Sequence, residues 1–139
     1  MFHPKLLLFG VEQLQVLLPS LVLFRLYRFS NFYLGVAGTI VKRNDASNNI
    51  WDFNGSNFIV KNIEFVGGSR GLRLGEQGNC ANVLLQDLKV HETESTAVSF
   101  NDNGRDYNNI TIRRVEVYNT GSDTSECFYT GTKVNIIYI

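Results

Sequence analysis

What this sequence lacks narrows its reading first. Neither sign of charge dominates, because 13 Lys and Arg balance 13 Asp and Glu, and the basic residues are scattered along the chain. Without a net field or a basic patch, nothing gathers nucleic acid or an anionic membrane surface. A long hydrophobic run is also missing: the longest, Val16 to Phe24, stops at Arg25, well short of the roughly 20 residues that a membrane-spanning helix needs. Cysteine is scarce, with Cys80 and Cys127 alone. A disulfide needs Cα atoms within about 7 Å, and the register derived below sets the two on different rungs, so they say little about compartment.

Proline is as scarce, and both copies, Pro4 and Pro19, fall in a Leu-rich stretch that holds no Asn or Asp before Asn31. Composition thus divides the chain into an atypical segment, 1–34, and a remainder, 35–139, and the whole is long enough for one domain with a real core but not for two. Three readings of the first segment stand open. It is a secretory signal or signal-anchor, with Lys5 as the sole early cation and Glu12 and Gln13 interrupting the run. It is an amphipathic helix that caps the first rung and protects a bare sheet edge. Or it is a spurious extension upstream of a truncated gene.

The remainder repeats itself. The stretch from Asn57 to Val66 recurs 25 residues on, from Asn82 to His91, and 27 residues further, from Asn109 to Tyr118. Between these lie short apolar pieces, Trp51-Asp52-Phe53, Leu72-Arg73-Leu74, Val98-Ser99-Phe100 and Phe128-Tyr129-Thr130, each followed by Asn or Gly. Apolar residues alternate within each half of the long stretch, as in a strand with one buried face. The phase slips by one residue near Lys61-Asn62, Gln86-Asp87 and Arg113-Arg114, which marks a corner. Three short strands per period, with Gly, Asn, Asp and Ser at the corners, describe one coil of a β-solenoid. Asn54-Gly55 is the single place where a tight hairpin turn fits.

Coils stacked about 4.8 Å apart bring Phe58, Val83 and Ile110 into one interior ladder and Val60, Leu85 and Ile112 into the next. Ile63, Leu88 and Val115, then Phe65, Val90 and Val117, complete the set, and Phe100 points inward beneath the Trp51-Phe53 and Leu72-Leu74 layers. Outside, Asn57, Asn82 and Asn109 form a corner column whose amides bond to one another. Glu64, Lys89 and Glu116 form a charged column with the cation in the middle.

This pattern, especially Asn57 to Leu74 and Asn109 to Tyr118, resembles the right-handed parallel β-helix repeats of the pectate-lyase-like superfamily over roughly residues 40 to 131. That superfamily includes pectate lyases, polygalacturonases, chondroitinase- and alginate-type lyases and mannuronan epimerases. The resemblance implies an all-β fold, a right-handed single-stranded parallel β-helix of about four coils beginning near Thr39, and a polysaccharide partner at the cell surface or in the secreted space. Val134 to Ile139 looks like the start of another coil, as in a fragment of a longer solenoid.

The resemblance also directs attention to the outer face of the short strands, where such proteins lay their substrates. Alternation sends Asp52, Arg73, Ser99 and Tyr129 there. In the functional reading Tyr129 stacks on a pyranose ring, Arg73 neutralises a uronate carboxylate and Asp52 binds hydroxyls or a Ca²⁺ ion. In the plain structural reading Asp52 and Arg73 form an exposed ion pair. Candidates for acid, base or charge-neutralising roles are Asp52, Arg73, Asp102, Arg105 and Glu126; Asp102 and Glu126 fall at opposite ends of neighbouring strands, a poor spacing for a hydrolase pair. His91 is expected at an exposed strand position before a turn. The functional expectation is a carbohydrate-active β-helix that binds or degrades an acidic extracellular polysaccharide, and the rival is a non-catalytic structural or adhesion module.

Overall fold

A computed structural model describes residues 11–13, 21–23, 26–29, 32–100, 106–121, 125–131 and 134–138, with backbone alone before Phe32 and in 134–138. Every regular element among them is a strand. The first five are β1 (Val11–Gln13), β2 (Leu21–Leu23), β3 (Leu26–Phe29), β4 (Phe32–Gly35) and β5 (Ile40–Arg43). Short and long strands then alternate: β6 (Trp51–Phe53), β7 (Phe58–Gly67), β8 (Leu72–Leu74), β9 (Cys80–Thr93), β10 (Val98–Phe100), β11 (Tyr107–Thr120), β12 (Phe128–Thr130) and β13 (Val134–Tyr138).

The short strands stack in parallel as one sheet in the order β6, β8, β10, β12, and the long strands stack in parallel as another. The chain therefore climbs as a parallel β-solenoid of about four coils. Asn54-Gly55 makes no hairpin, because β6 and β7 belong to different sheets and Gly55, at φ 103°, carries the chain round a corner between them.

The interior is the set of ladders that alternation implies. Phe58, Val83 and Ile110 pair in register, as do Val60, Leu85 and Ile112, then Ile63, Leu88 and Val115, then Phe65, Val90 and Val117. All are buried except Val115 and Val117 on the last full long strand, which pack half-buried against the core. Cys80 lies inside this core, where burial pushes its thiol up to about 11, while Cys127 is exposed; both are free thiols.

The corners explain the phase slips. Asn57, Asn62 and Gly67 all have positive φ, as do Asn82, Asp87 and Glu92 one coil on, and Asn109, Arg114 and Asn119 in the next. A left-handed residue every five positions turns the chain and resets which side chains face inward. Non-glycine residues take this conformation at a cost, least for Asn and Asp. At Gly67 no side chain fits at all, since a Cβ there would lie 2.2 Å from the Arg43 carbonyl oxygen.

Side chains bind each corner column along the axis. Asn109 Nδ2 donates to Asn82 Oδ1 at 2.9 Å, and Asn82 Nδ2 to Asn57 Oδ1 at 2.8 Å. In the second column Arg114 grips Asp87 with two nitrogens, Nη2 to Oδ2 at 3.0 Å. In the third, Asn119 Nδ2 donates to Glu92 Oε1 at 2.7 Å.

The Arg114 hydrogen bonds, aided by Gln86, hold the Asp87 carboxyl at about 2, below its ordinary 3.8. A carboxylate with a depressed pKa stabilises the fold above its unfolded value, and that contribution disappears as pH falls through its folded value. For Asp87 the window runs from about pH 4 down to about 2. The urea midpoint of the wild type is therefore expected to fall more steeply across this window than that of Arg114→Gln; equal slopes would show that the pair adds nothing to acid stability.

The first coil departs from the others. β4 and β5 stand above β7, with Phe32, Tyr33 and Leu34 paired to Ile59, Val60 and Lys61. The parallel ladder thus begins at Phe32, inside the stretch that composition sets apart, and a turn at Val36 to Thr39 replaces the single left-handed corner residue. No helical cap is found among the described residues. Antiparallel strands take that place: β3 pairs with β4, β2 with β5, and β1 with β3. A paired strand satisfies the N–H and C=O groups of a sheet edge directly, which a helix laid across it would not.

Candidate functional site

The short strands are only three residues long, so β6, β8 and β10 each turn their first and third side chains to the core and the middle one to the opposite face, while in β12 Phe128 packs against the core and Thr130 is exposed. Their pairing is in strict register: Asp52 opposite Arg73, Arg73 opposite Ser99, Ser99 opposite Tyr129. The four residues singled out from the sequence therefore form one column, at about 4.8 Å per rung.

Their surroundings differ along the column. Asp52 is exposed and accepts a hydrogen bond from Asn49 Nδ2 at 2.8 Å. Arg73 is half-buried and its Nη1 pairs with Glu76 Oε1 at 2.8 Å, so the partner seen for Arg73 is the acid three residues on. Ser99 is 1% exposed and its hydroxyl has no hydrogen-bond partner. Tyr129 is exposed at the last rung. A uniform exposed strip is thus not what the column offers; an anion at one end and an aromatic ring at the other flank a screened cation and a covered hydroxyl.

Glu126 lies at the entrance to β12, exposed, within 3.5 Å of the Thr96 hydroxyl. It is three rungs from Asp52, or roughly 14 Å by the strand spacing, farther than the roughly 5–9.5 Å across which paired carboxylates cleave a glycosidic bond. Asp102 and Arg105 lie outside the described residues. Among the described residues no group of three or more His, Cys, Asp or Glu is placed to hold a metal ion, and no helix is long and apolar enough to cross a membrane.

His91 corrects the expectation of an exposed strand position. It projects from the long-strand sheet, yet the residue is only 9% exposed, because Tyr118 stacks on its ring at 4.4 Å and 9°. Its Nε2–H donates to Glu64 Oε1 at 2.8 Å, while Nδ1 is buried without a hydrogen-bond partner. Glu64 is thereby drawn from the charged column, where Lys89 meets Glu116 alone at 3.6 Å. The signal was present in the repeat: Val66, His91 and Tyr118 hold equivalent positions, and adjacent rings on neighbouring parallel strands stack.

Comparison with protein-family models, curated proteins and solved structures finds no match for this chain. What stands is the parallel β-solenoid and the geometry of its faces.

Proposed function

We propose that the protein binds an acidic polysaccharide along the outer face of the short strands, outside the cell. The reading rests on Arg73 and Tyr129, a half-buried guanidinium and an exposed ring that stand two rungs apart on either side of the covered Ser99, roughly 10 Å. That interval suits a uronate held at Arg73 and a sugar ring laid on Tyr129 further along the same chain. The guanidinium exchanges Glu76 for the uronate, so the gain on binding is partial. Asp52 and Glu126 stand too far apart to act together as a hydrolytic pair.

Titration with pectate, alginate and chondroitin tests this. Arg73→Ala is expected to weaken binding of the preferred glycan about tenfold, near 1.4 kcal/mol, with a loss that shrinks as salt is added. Tyr129→Ala is expected to weaken it at all salt concentrations, and absorbance in the ultraviolet reports whether unsaturated products form. If neither substitution changes affinity, or the wild type binds no glycan, the second reading prevails: a structural or adhesion module. The three corner columns favour that alternative, since each is tied along the axis by side-chain bonds that a stalk under tension would need.

A further inference from the structure

At the first rung, the face of the short strands ends in a recess of about 300 Å³. Its floor is aromatic. Trp51 stacks on Phe53 with centroids 4.8 Å apart, Phe53 stacks on Phe58 at 5.2 Å, and Tyr33 stands edge-on to Trp51 at 5.1 Å. Phe53 and Phe58 are buried, so the apolar surface left in the recess belongs to the half-buried Trp51 and Tyr33.

The rim is polar, and each member has one group committed to the fold and another that has no partner among the described residues. Asp52 Oδ1 accepts from Asn49 Nδ2 at 2.8 Å, leaving Oδ2. Asn54 Oδ1 accepts from the Gln77 N–H at 2.9 Å, leaving the amide hydrogens. Ser56 Oγ accepts from the Ala81 N–H at 2.9 Å, leaving its proton. The main chain adds to this set. Among the described residues β6 is the terminal strand of its sheet, its Trp51 N–H donating to the Gly71 carbonyl and its Phe53 carbonyl accepting from the Gly75 N–H at the two ends of β8. The N–H and C=O of Asp52, between them, point away from β8.

We infer that this recess is a subsite for one neutral pyranose ring, the end of a glycan whose acidic part lies along the column below it. The inference rests on the binding reading given above. A sugar ring has an apolar C–H face and a rim of hydroxyls that both donate and accept, which matches half-buried rings beneath a carboxylate, an amide and a hydroxyl. The volume lies at the lower end of ligand sites and suits a single ring rather than a chain. Charge sets the choice between neutral and acidic sugars. A uronate here would sit against the Asp52 carboxylate, and the nearest cation on this face, Arg73, is one rung away and engaged by Glu76.

Trp51 is the sole tryptophan in the chain, so its emission reports on this recess. The full chain is titrated with the methyl glycosides of glucose, galactose and mannose, and separately with galacturonate. The expected result is a saturable change in emission with at least one neutral glycoside, with Kd on the order of 1 mM, and none with galacturonate. Asp52→Ala should raise that Kd about tenfold while leaving the thermal midpoint unchanged, because the side chain is exposed. No saturable change with any neutral glycoside, an equal response to galacturonate, or an unaltered Kd in Asp52→Ala would overturn the subsite. Arg73→Ala separates the two readings: it should weaken the acidic polysaccharide and leave the monosaccharide response intact. A monosaccharide response without polysaccharide binding would sink the column alone.

Discussion

Phe100→Ala is expected to cost about 3–5 kcal/mol, a large part of the 5–15 kcal/mol that holds a typical domain together. Phe100 is fully buried at the centre of the short-strand sheet, in register with Leu74 above and Thr130 below. Its ring meets Tyr107 edge-on at 5.9 Å and 88°. The cost of such a truncation depends on how far the surroundings can collapse into the space left behind, and here they are held. Tyr107 is itself fully buried, its hydroxyl donating toward the Leu74 and Gly75 carbonyls at 3.3 and 3.4 Å. Its ring presses on Gly75 so closely that a Cβ there would fall 2.5 Å from it. The strands above and below are fixed by their ladder bonds, so the cavity persists and the loss belongs toward the upper part of the range. Equilibrium urea melts check it. A change below about 1 kcal/mol would mean that Phe100 is not the central layer of the core.

The interior was legible in the sequence because a solenoid repeats its demands. Each coil asks for apolar residues at the same positions, and Phe58, Val83 and Ile110 answer at intervals that survive a two-residue insertion between the second and third coils. Two of the three corner columns were legible for the same reason, since the phase slip at Asn62, Asp87 and Arg114 is visible as a break in alternation. The third column, Gly67, Glu92 and Asn119, was not. Its members share a backbone conformation and no side-chain chemistry, and the strands it separates are too short to reveal a second slip.

Legibility ended where a side chain's state depends on partners distant in sequence. His91 alternates to the outer surface like any exposed residue, and only the Tyr118 ring on the next coil and the Glu64 carboxylate on the previous one bury it. Asp52 and Arg73 were correctly aligned, but local chemistry redirected their contacts, with Asn49 and Glu76 each three residues away. The first coil was obscured for a different reason. Phe32 to Gly35 joins the parallel ladder without the Asn and Asp corners that mark the later coils, so composition placed a division where the backbone pairing runs on.

Asn82→Ala is expected to cost about 3 kcal/mol, although the residue is exposed and touches no part of the core. Two effects combine. At φ 56° Asn82 occupies the left-handed region, which Asn tolerates and which costs alanine about 1–2 kcal/mol. The substitution also removes both amide bonds of the column, to Asn57 at 2.8 Å and from Asn109 at 2.9 Å, each worth about 0.5–1.5 kcal/mol. Of the bonds within this column, Asn82 makes both and Asn57 one, so Asn57→Ala should lose one of them and Asn82→Ala two. Asn82→Gly separates the contributions: glycine enters the left-handed region freely, so it should forfeit the bonds while avoiding the strain. The expected order in urea melts is wild type, then Asn82→Gly, then Asn82→Ala. Equal losses for glycine and alanine would remove backbone strain from the account. A loss under about 0.5 kcal/mol for alanine, the level of an ordinary surface substitution, would mean that the asparagine column accompanies the corner without holding it.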